Sequence, residues 1–247
     1  PLLFVIYYAF TDASGAFTLS NIAALKSYAG TFGLSVCFAL IATVICLIIA
    51  YPLAYFITKQ GARSQSILIM LAMLPMWMNF LIRTYSWITI LANTGIINNL
   101  LSRLGIGPLR LINTPGAVIL GMVYNFLPYM ILPIYTVMLK ADRSLIEAAQ
   151  DLGGNKLDVF RNVTIPLSIP GVVSGFTMVF VPSVSTFYIS QKLGNGKIFL
   201  IGDAIEGQYI ANNLHFAAAI AFILMIVLLI CMALMKYFTT RRLYGGK

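Results

Sequence analysis

SLIEAAQDLGGNKLDVFRNVTIPLSIPG, residues 144–171, is a polar stretch within an otherwise apolar chain. Ser144 is followed three residues later by Glu147, which is the spacing of a capping box, where each side chain bonds to a backbone N–H at a helix start. Gly153 and Gly154 come at the other end, and glycine readily adopts the left-handed conformation that ends a helix. The sequence therefore predicts a short helix between Ser144 and Gly153.

A second short helix is predicted directly after the first. Asn155 has the side chain of a helix N-cap, and Asp158 stands at the reciprocal position of a second capping box. We expect Pro166 and Pro170 to end this helix, because proline lacks the backbone N–H that a helix interior needs. Helices shorter than roughly 12 residues are marginal alone in water, so both should lie against another protein surface.

The same stretch contains a longer pattern with fixed spacing. Its landmarks are Glu147, Ala148 and Ala149, then Gly153 after three residues, and Val163, Thr164, Ile165 and Pro166 after nine more. This pattern resembles the EAA loop of ATP-binding-cassette importer permeases, EAA-x3-G-x9-I-x-L-P, with Val163 and Ile165 as conservative departures. Because the spacing is met at every landmark, the resemblance is specific.

The resemblance implies a function for residues 140–170. In that family the EAA loop is cytoplasmic and forms the coupling helix, which docks in a groove of the partner ATPase. The residues implied to couple to the ATPase are Arg143, Glu147, Ala148, Ala149, Asp151 and Gly153. Small alanines let a partner approach the helix closely, and charges at the rim can make charge-assisted contacts. The alternative is structural, with alanines that favour a helix and a glycine that ends it.

Composition assigns the whole chain to a membrane. Hydrophobic residues make up 60% of it, charged residues only 9%, and the mean hydropathy is +0.91, whereas about a quarter of the residues in a soluble domain are charged. The formal net charge is +9, but the cations lie in loops between apolar runs and form no basic patch with interleaved aromatic residues. We therefore predict the lipid bilayer, and no nucleic acid, as a partner.

Apolar runs of sufficient length predict the architecture. A span must cross about 30 Å of hydrocarbon, which takes roughly 20 helical residues. The candidate spans are residues 31–58, 67–92, 115–139, 171–190 and 216–238. Residues 1–10 are shorter, and we expect them to be the outer end of a first, truncated span. The prediction is an all-α, polytopic membrane protein with about six transmembrane helices in a single permease domain, residues 1–247, and the resemblance implies the type I importer permease fold.

The positions of lysine and arginine predict the orientation in the membrane. If the EAA loop is inside, the inside cations are Lys59, Arg63, Lys140, Arg143, Lys156, Arg161, Lys236, Arg241, Arg242 and Lys247, and the outside cations are Lys26, Arg103, Arg110, Lys192 and Lys197. Cytoplasmic loops carry the excess of lysine and arginine. The count therefore supports a cytoplasmic EAA loop independently of the resemblance, and places residues 191–213 in an outer loop.

Polar and aromatic residues within and between the spans are candidates for a substrate pathway. They are Trp77, Asn79, Arg83, Tyr85, Tyr124, Tyr188, Asp203 and Glu206. An arginine within a span costs roughly 2.5–3.5 kcal/mol on insertion scales and should face protein or water, although Arg83 could instead reach the outer headgroups. Asp203 and Glu206 share a face if their loop is helical. Their alternative roles are solvation or docking of an external binding protein.

Residue patterns for catalysis or cofactor binding are not evident in the sequence. Gly196 and Lys197 form the one pair that could suggest a phosphate-binding loop, but Ile198 replaces the required serine or threonine. His215 is the only histidine and has no companion ligand for a metal site. We predict a non-catalytic subunit without a cofactor or metal, in which ATP and Mg are bound by a partner ATPase.

Three further runs bear on the substrate. Residues 74–87, 114–135 and 200–210 resemble the permease subunits of spermidine/putrescine importers, in particular the B-type subunit. A polycationic substrate needs carboxylates to attract it and aromatic faces for cation–π contact, and the candidate residues include both. Iron, thiamine or phosphonate importers belong to the same broad group and remain alternatives. So does an anion recognised by Arg83, and an ion channel is a more distant one.

The resemblance also implies an assembly. The partners would be a second homologous permease subunit, two ATP-binding-cassette ATPase subunits and an external polyamine-binding protein, at a bacterial inner membrane. Transport would proceed by alternating access, in which closure of the ATPase dimer carries the coupling helix with it.

Overall fold

The structure is a computed structural model that describes residues 2–12 and 14–244, without the side chains of residues 143, 146 and 238–244. The predicted contact of the Arg143 side chain therefore lies outside the described part, as do the side chains of Arg241 and Arg242 and the whole of Lys247. The helices are α1 (Leu2–Ala9), α2 (Ser20–Ala24), α3 (Ala29–Thr58), α4 (Ala62–Trp77), α5 (Phe80–Leu91), α6 (Ile96–Arg103), α7 (Pro115–Leu139), α8 (Arg143–Asp151), α9 (Lys156–Val159), α10 (Ile165–Ser185), α11 (Tyr188–Gly194), α12 (Ile201–Ile210) and α13 (Leu214–Tyr244).

The long helices confirm the all-α, multi-pass prediction. Four continuous helical stretches are long and apolar enough to cross a membrane, and a fifth span is completed if the broken pair α4 and α5 counts as one. The four are Ser20–Thr58, Pro115–Leu139, Lys156–Ser185 and Leu214–Tyr237. Pro52, Pro128 and Pro133 lie inside α3 and α7, as predicted. Neighbouring groups can satisfy the carbonyls that a proline frees within a membrane helix.

Residues 67–92, predicted as one span, are divided between two helices, which together make at most one broken span. The helix stops at Trp77 and a new one starts at Phe80. Asn79 has a non-helical backbone conformation, and its side chain accepts a 2.8 Å hydrogen bond from the backbone N–H of Leu81. An asparagine in this position caps the start of a helix, and the break follows from that local bond.

The prediction that Pro166 and Pro170 end the helix after Asn155 is wrong. A π-helical turn at Phe160–Thr164 continues α9 into α10, so that one helical stretch runs to Ser185. Pro166 stands just after the π-helical turn, and local π-helical adjustments let a membrane helix tolerate proline. The fifth span consequently begins within the EAA loop.

Residues 191–213 are more ordered than an outer loop. They contain the end of α11 and all of α12, and the residues between these helices include Asn195 and Gly196 with positive φ. We expected Asp203 and Glu206 to share a face if their segment is helical. Both belong to α12, so this condition is met.

The chain forms two compact units. One contains residues 1–42, 78–124 and 181–230, and the other contains residues 43–77, 125–180 and 231–247. In the first unit Leu193, Leu200 and Ile201 are fully buried, and the Ser35 hydroxyl accepts a 2.8 Å bond from the Ile201 N–H. In the second unit Met130 and Ile134 of α7 are fully buried. Each unit therefore has its own apolar core.

Candidate functional site: the EAA coupling helix and an aromatic cluster

The N-cap of helix α8 lies two residues earlier than the predicted Ser144. This N-cap is Asp142, and its carboxylate accepts a 2.9 Å bond from the Ser144 N–H. The predicted capping box of Ser144 and Glu147 is therefore wrong. Hydrogen bonds from the backbone and side chain of Ser144 lower the pKa of the Asp142 carboxyl. A carboxylate at this end also suits the positive end of the helix dipole.

The end of α8 agrees with the prediction. The Gly154 N–H donates to the Ala149 carbonyl at 3.0 Å, and the Gly153 N–H donates to the Gln150 carbonyl at 2.8 Å. This pair of bonds is a Schellman motif. Gly153 has φ +84°, and a Cβ at Gly154 would lie 2.6 Å from the Ala149 oxygen. Both glycines are therefore required by the backbone.

Helix α9 also starts as predicted. The Asn155 side chain accepts from the N–H groups of Leu157 at 2.9 Å and of Asp158 at 3.0 Å. The Asp158 carboxylate in turn accepts from the Asn155 N–H at 3.1 Å. This is a complete capping box, and it fixes the chain direction directly after α8.

The α8 region presents an apolar surface to its surroundings. Leu145 is 47% exposed, Leu157 is 70% exposed and Leu152 is 90% exposed. Glu147, Ala148 and Asp151 are exposed as well. Leucines in the open beside small alanines and carboxylates make a surface that another protein could cover.

A polar cavity of about 330 Å³ lies beside α8, within the second unit. Glu147 and Gln150 of α8 line it together with Tyr55, Lys59 and Ser168. The Lys59 ammonium stands 5.1 Å from the centre of the Tyr55 ring. The predicted coupling residue Glu147 therefore lines this cavity together with the C-terminal end of α3, and it is also exposed to the surroundings.

An aromatic cluster in the first unit brings together α5 and α11. It consists of Phe80, Tyr85 and Tyr188: the Phe80 and Tyr188 rings are 5.8 Å apart and the Tyr85 and Tyr188 rings 6.4 Å apart. The Lys192 ammonium lies 5.7 Å from the centre of the Tyr85 ring and 5.7 Å from that of Tyr188. Both distances are within the range of cation–π contact.

Arg83 does not reach solvent. It is 7% exposed, and its guanidinium lies 5.9 Å from the centre of the Phe80 ring. In the part of the chain that the structure describes, its Nε and Nη1 atoms have no hydrogen-bond partner. The structure thus favours the buried position for Arg83 over the headgroup position, since the side chain faces protein.

Asp203 and Glu206 have different surroundings. Asp203 is 5% exposed, and its carboxylate accepts a 2.7 Å bond from the Leu200 N–H at the start of α12. Burial raises the pKa of the Asp203 carboxyl, and the Leu200 bond works against this. Glu206 is half-buried, contacts the Gln191 side chain and lines an apolar cavity of about 500 Å³.

Tyr124, Asn79 and Trp77, which were also predicted to belong to the substrate pathway, lie outside the aromatic cluster. Tyr124 packs against Trp87, with ring centres 5.3 Å apart. Asn79 caps α5. Trp77 ends α4, belongs to the second unit and is 72% exposed. The cluster thus assembles Tyr85 and Tyr188 from the predicted set, together with Phe80.

Sequence analysis missed Lys192 as a candidate. Its spacing of four residues from Tyr188 places both on one face of a helix. This spacing could have indicated that Lys192 lies beside Tyr188. The contact with Tyr85, 107 positions away in the chain, was not visible in the sequence, because it depends on how α5 and α11 pack.

The fold and the site define the class of this protein, a membrane permease with an EAA loop. Comparison with known proteins agrees. The chain belongs to the family described as binding-protein-dependent transport system inner membrane component, whose model matches residues 50–244. It is therefore a multi-pass inner-membrane permease of a transport system.

Relatives with assigned names are similar over most of their length. The chain is 39% identical to the spermidine/putrescine transport system permease protein PotB of Salmonella typhimurium (strain SL1344), over 94% of this chain and 82% of that protein. It is 39% identical to the PotB of Escherichia coli (strain K12), over 85% of this chain and 76% of that protein. It is 38% identical to the PotB of Haemophilus influenzae, over 84% and 73% respectively.

Solved structures support the fold. A bacterial ABC transporter involved in the import of the acidic polysaccharide alginate matches with a TM-score of 0.76 at 14% identity, over 97% of this chain and 88% of that chain. The alginate ABC transporter in complex with a pentasaccharide-bound periplasmic protein matches with a TM-score of 0.70 at 15% identity, over 92% and 88%. The fold is that of an ABC importer permease.

Proposed function

We propose that this chain is a permease subunit of an ATP-driven importer of polyamines such as spermidine and putrescine, and that it forms half of the translocation pathway. The observation that carries this proposal is the 38–39% identity, over 84–94% of the chain, to relatives named as spermidine/putrescine permeases. The substrates in those names belong to the relatives. We propose that this chain transports the same substrates.

The aromatic cluster supports a cationic substrate. Tyr85 is 51% exposed, and Tyr188 is half-buried beside it. Aromatic faces attract ammonium groups without the deep trapping that a buried carboxylate would cause. The cluster already holds one alkylammonium group, that of Lys192, which agrees with a preference for amines.

We further propose that α8 couples this subunit to a separate ATPase. The contact would use Glu147, Ala148, Ala149 and Asp151, with Arg143 at the rim, and Gly153 to end the helix. Exposed leucines on the same segment and the resemblance to the EAA loop support this role. In this arrangement ATP and Mg are bound by the ATPase, and the permease itself is non-catalytic.

The other partners follow from the same proposal. A second homologous permease would complete the pathway, two ATPase subunits would drive it, and an external polyamine-binding protein would deliver the substrate. The family description, which names a binding-protein-dependent system, supports the last of these.

The test is ATP-dependent uptake of labelled spermidine into proteoliposomes that contain this chain, its partner subunits and the binding protein. We expect uptake that unlabelled putrescine reduces and that thiamine, phosphonate and iron leave unchanged. A Glu147→Lys variant should assemble in the membrane but lose uptake, and Trp77→Ala should weaken it more than Trp77→Phe. Uptake reduced by thiamine or phosphonate, and not by polyamines, would leave the importer class standing and remove the polyamine substrate.

A further inference from the structure

The Lys192 ammonium lies beside two tyrosine rings that the proposed function assigns to the substrate pathway, 5.7 Å from each ring centre. We propose that Lys192 is an internal ligand of the aromatic cluster, which a substrate ammonium group must displace in order to bind. Lys192 would then set the affinity of the permease for amines. This inference rests on the proposed function, because it needs an amine substrate.

The geometry has one local and one tertiary cause. Tyr188 and Lys192 are four residues apart in α11, so their side chains lie on the same face of the helix. Tyr85 comes from α5 and meets them because α5 and α11 pack together within the first unit. The ammonium group therefore sits where two separate helices each present a tyrosine.

The chemistry of the occupant matches that of the substrate. A lysine side chain ends in a methylene group and a primary ammonium, and so does each end of spermidine or putrescine. An aromatic pair that holds one of these groups offers the same attraction to the other, because cation–π contact depends on charge and ring geometry. The two ammonium groups would also repel each other at the same site.

Lys192 is not held elsewhere by an ion pair. Across residues 2–12 and 14–244, no carboxylate makes an ion-pair contact with its ammonium, which lies near the two tyrosine rings and donates a hydrogen bond to the Tyr85 hydroxyl. The side chain is half-buried and Tyr85 is 51% exposed. The lysine can thus leave the rings by rotation about its flexible stem, and the rings can be reached once it has left.

The functional consequence is a site that binds amines weakly. A tethered ammonium competes with every arriving substrate at high effective concentration, so the substrate is held briefly and released onward. A transport pathway needs such weak binding, since a tightly bound substrate would stop turnover.

The experiment measures equilibrium binding of radiolabelled spermidine to the purified permease and ATPase complex, without the binding protein, so that the affinity of the binding protein does not mask that of the permease. Three variants are compared with wild type: Lys192→Gln, Lys192→Arg and Lys197→Gln. We expect Lys192→Gln to lower the dissociation constant about fivefold, equivalent to about 1 kcal/mol. Lys192→Arg keeps the cation, and Lys197→Gln removes an exposed lysine of the same loop region, so both should bind as wild type does.

Two further measurements separate the possible failures. If wild type takes up spermidine in proteoliposomes but Lys192→Gln binds it no more tightly, the inference is overturned and the proposed function stands. If wild type shows no polyamine uptake, both are overturned. A Lys192→Gln variant that unfolds at lower temperature without tighter binding would mean that Lys192 only packs against the tyrosines. Tyr85→Leu should weaken spermidine binding in wild type and remove the gain in Lys192→Gln, whereas Tyr85→Phe, which keeps the aromatic face, should not weaken spermidine binding in Lys192→Gln.

Discussion

The side-chain hydroxyls of Tyr51 and Ser168 lie 2.9 Å apart and join α3 to α10 within one compact unit. Ser168 also donates a 2.8 Å bond to the Ile165 carbonyl and is 1% exposed. Because the Ser168 proton is used on the backbone, Tyr51 is the donor of the bond between the two hydroxyls.

Tyr51→Phe should therefore lower the stability of the permease by about 1 kcal/mol, since hydrogen bonds between membrane helices contribute about 0.6 to 2 kcal/mol. A double-mutant cycle of Tyr51→Phe and Ser168→Ala, with stability measured by thermal unfolding in detergent, gives the interaction energy of this pair. Tyr55→Phe is the matched control, because no hydrogen bond of the Tyr55 hydroxyl is seen in the described part of the chain. A coupling energy near zero would show that the two hydroxyls do not stabilise the packing.

Gly154→Ala should reduce ATP-dependent uptake sharply while the protein remains in the membrane. The added Cβ would lie 2.6 Å from the Ala149 carbonyl oxygen, so the end of the coupling helix must shift. Gly153→Ala meets open space but has to adopt φ +84°, which costs roughly 1–2 kcal/mol for a residue with a side chain. Its effect should be smaller.

The control for both glycine variants is Gly61→Ala, which lies between α3 and α4 with no atom within 4 Å of the added Cβ. Uptake and co-purification of the ATPase are measured for all three. Normal uptake in Gly154→Ala would contradict the view that this helix end has to be rigid for coupling.

Gly171→Ala should destabilise the contact between α7 and α10. Its Cβ would come within 2.8 Å of the Pro133 carbonyl oxygen and 3.1 Å of the Ile134 Cα, and backbone atoms cannot give way as side-chain ends do. Overpacking of this kind costs about 1–3 kcal/mol. Gly207→Ala in α12, where the added Cβ meets nothing within 4 Å, should leave the unfolding temperature nearly unchanged. Equal unfolding temperatures for the two variants would argue against close packing at Gly171.

Asp203→Asn should change how stability depends on pH. Burial raises the pKa of the Asp203 carboxyl in the folded state, so the folded protein favours the protonated form. The stability that this carboxyl contributes is present below about pH 4, the ordinary carboxyl pKa in an unfolded chain. It is lost as the pH rises through the pKa of the folded state. Asparagine stays neutral and can still accept the Leu200 bond, so the variant should gain stability relative to wild type as the pH rises from 4 to 8.

Asp12→Asn is the control with the opposite sign. The Ser14 side chain and backbone lower the pKa of the exposed Asp12 carboxyl, so the wild-type stabilisation is present above about pH 4 and is lost as the pH falls through the folded pKa. Unfolding temperatures from about pH 2 to pH 8 measure both variants, because the Asp12 effect appears below about pH 4 and the Asp203 effect above it. A constant difference between Asp203→Asn and wild type across this range would mean that Asp203 is ionised at all of these pH values.

The sequence was sufficient wherever a feature depends on neighbouring residues. Long apolar runs predicted the spans at residues 31–58 and 115–139. In lipid the backbone polar groups must form hydrogen bonds with each other, and a helix achieves this within one segment. Gly153 and the Asn155–Asp158 capping box were also predicted, since each involves bonds between residues at most five positions apart. The same reasoning failed at Asn79, where a side-chain cap interrupts an apolar run, and at Pro166, which follows a π-helical turn and does not end the helix.

What the sequence alone determined about this protein is its class: a polytopic helical permease with an EAA loop, because hydropathy and a motif of fixed spacing are properties of the chain itself. The tertiary structure decided which side chains meet. It buried Arg83 against Phe80, assigned Trp77 and Tyr85 to different units, and placed Lys192 beside two tyrosines. The physical reason is that such contacts depend on the packing of helices distant in sequence, and apolar membrane helices contain little sequence information about which faces will pack.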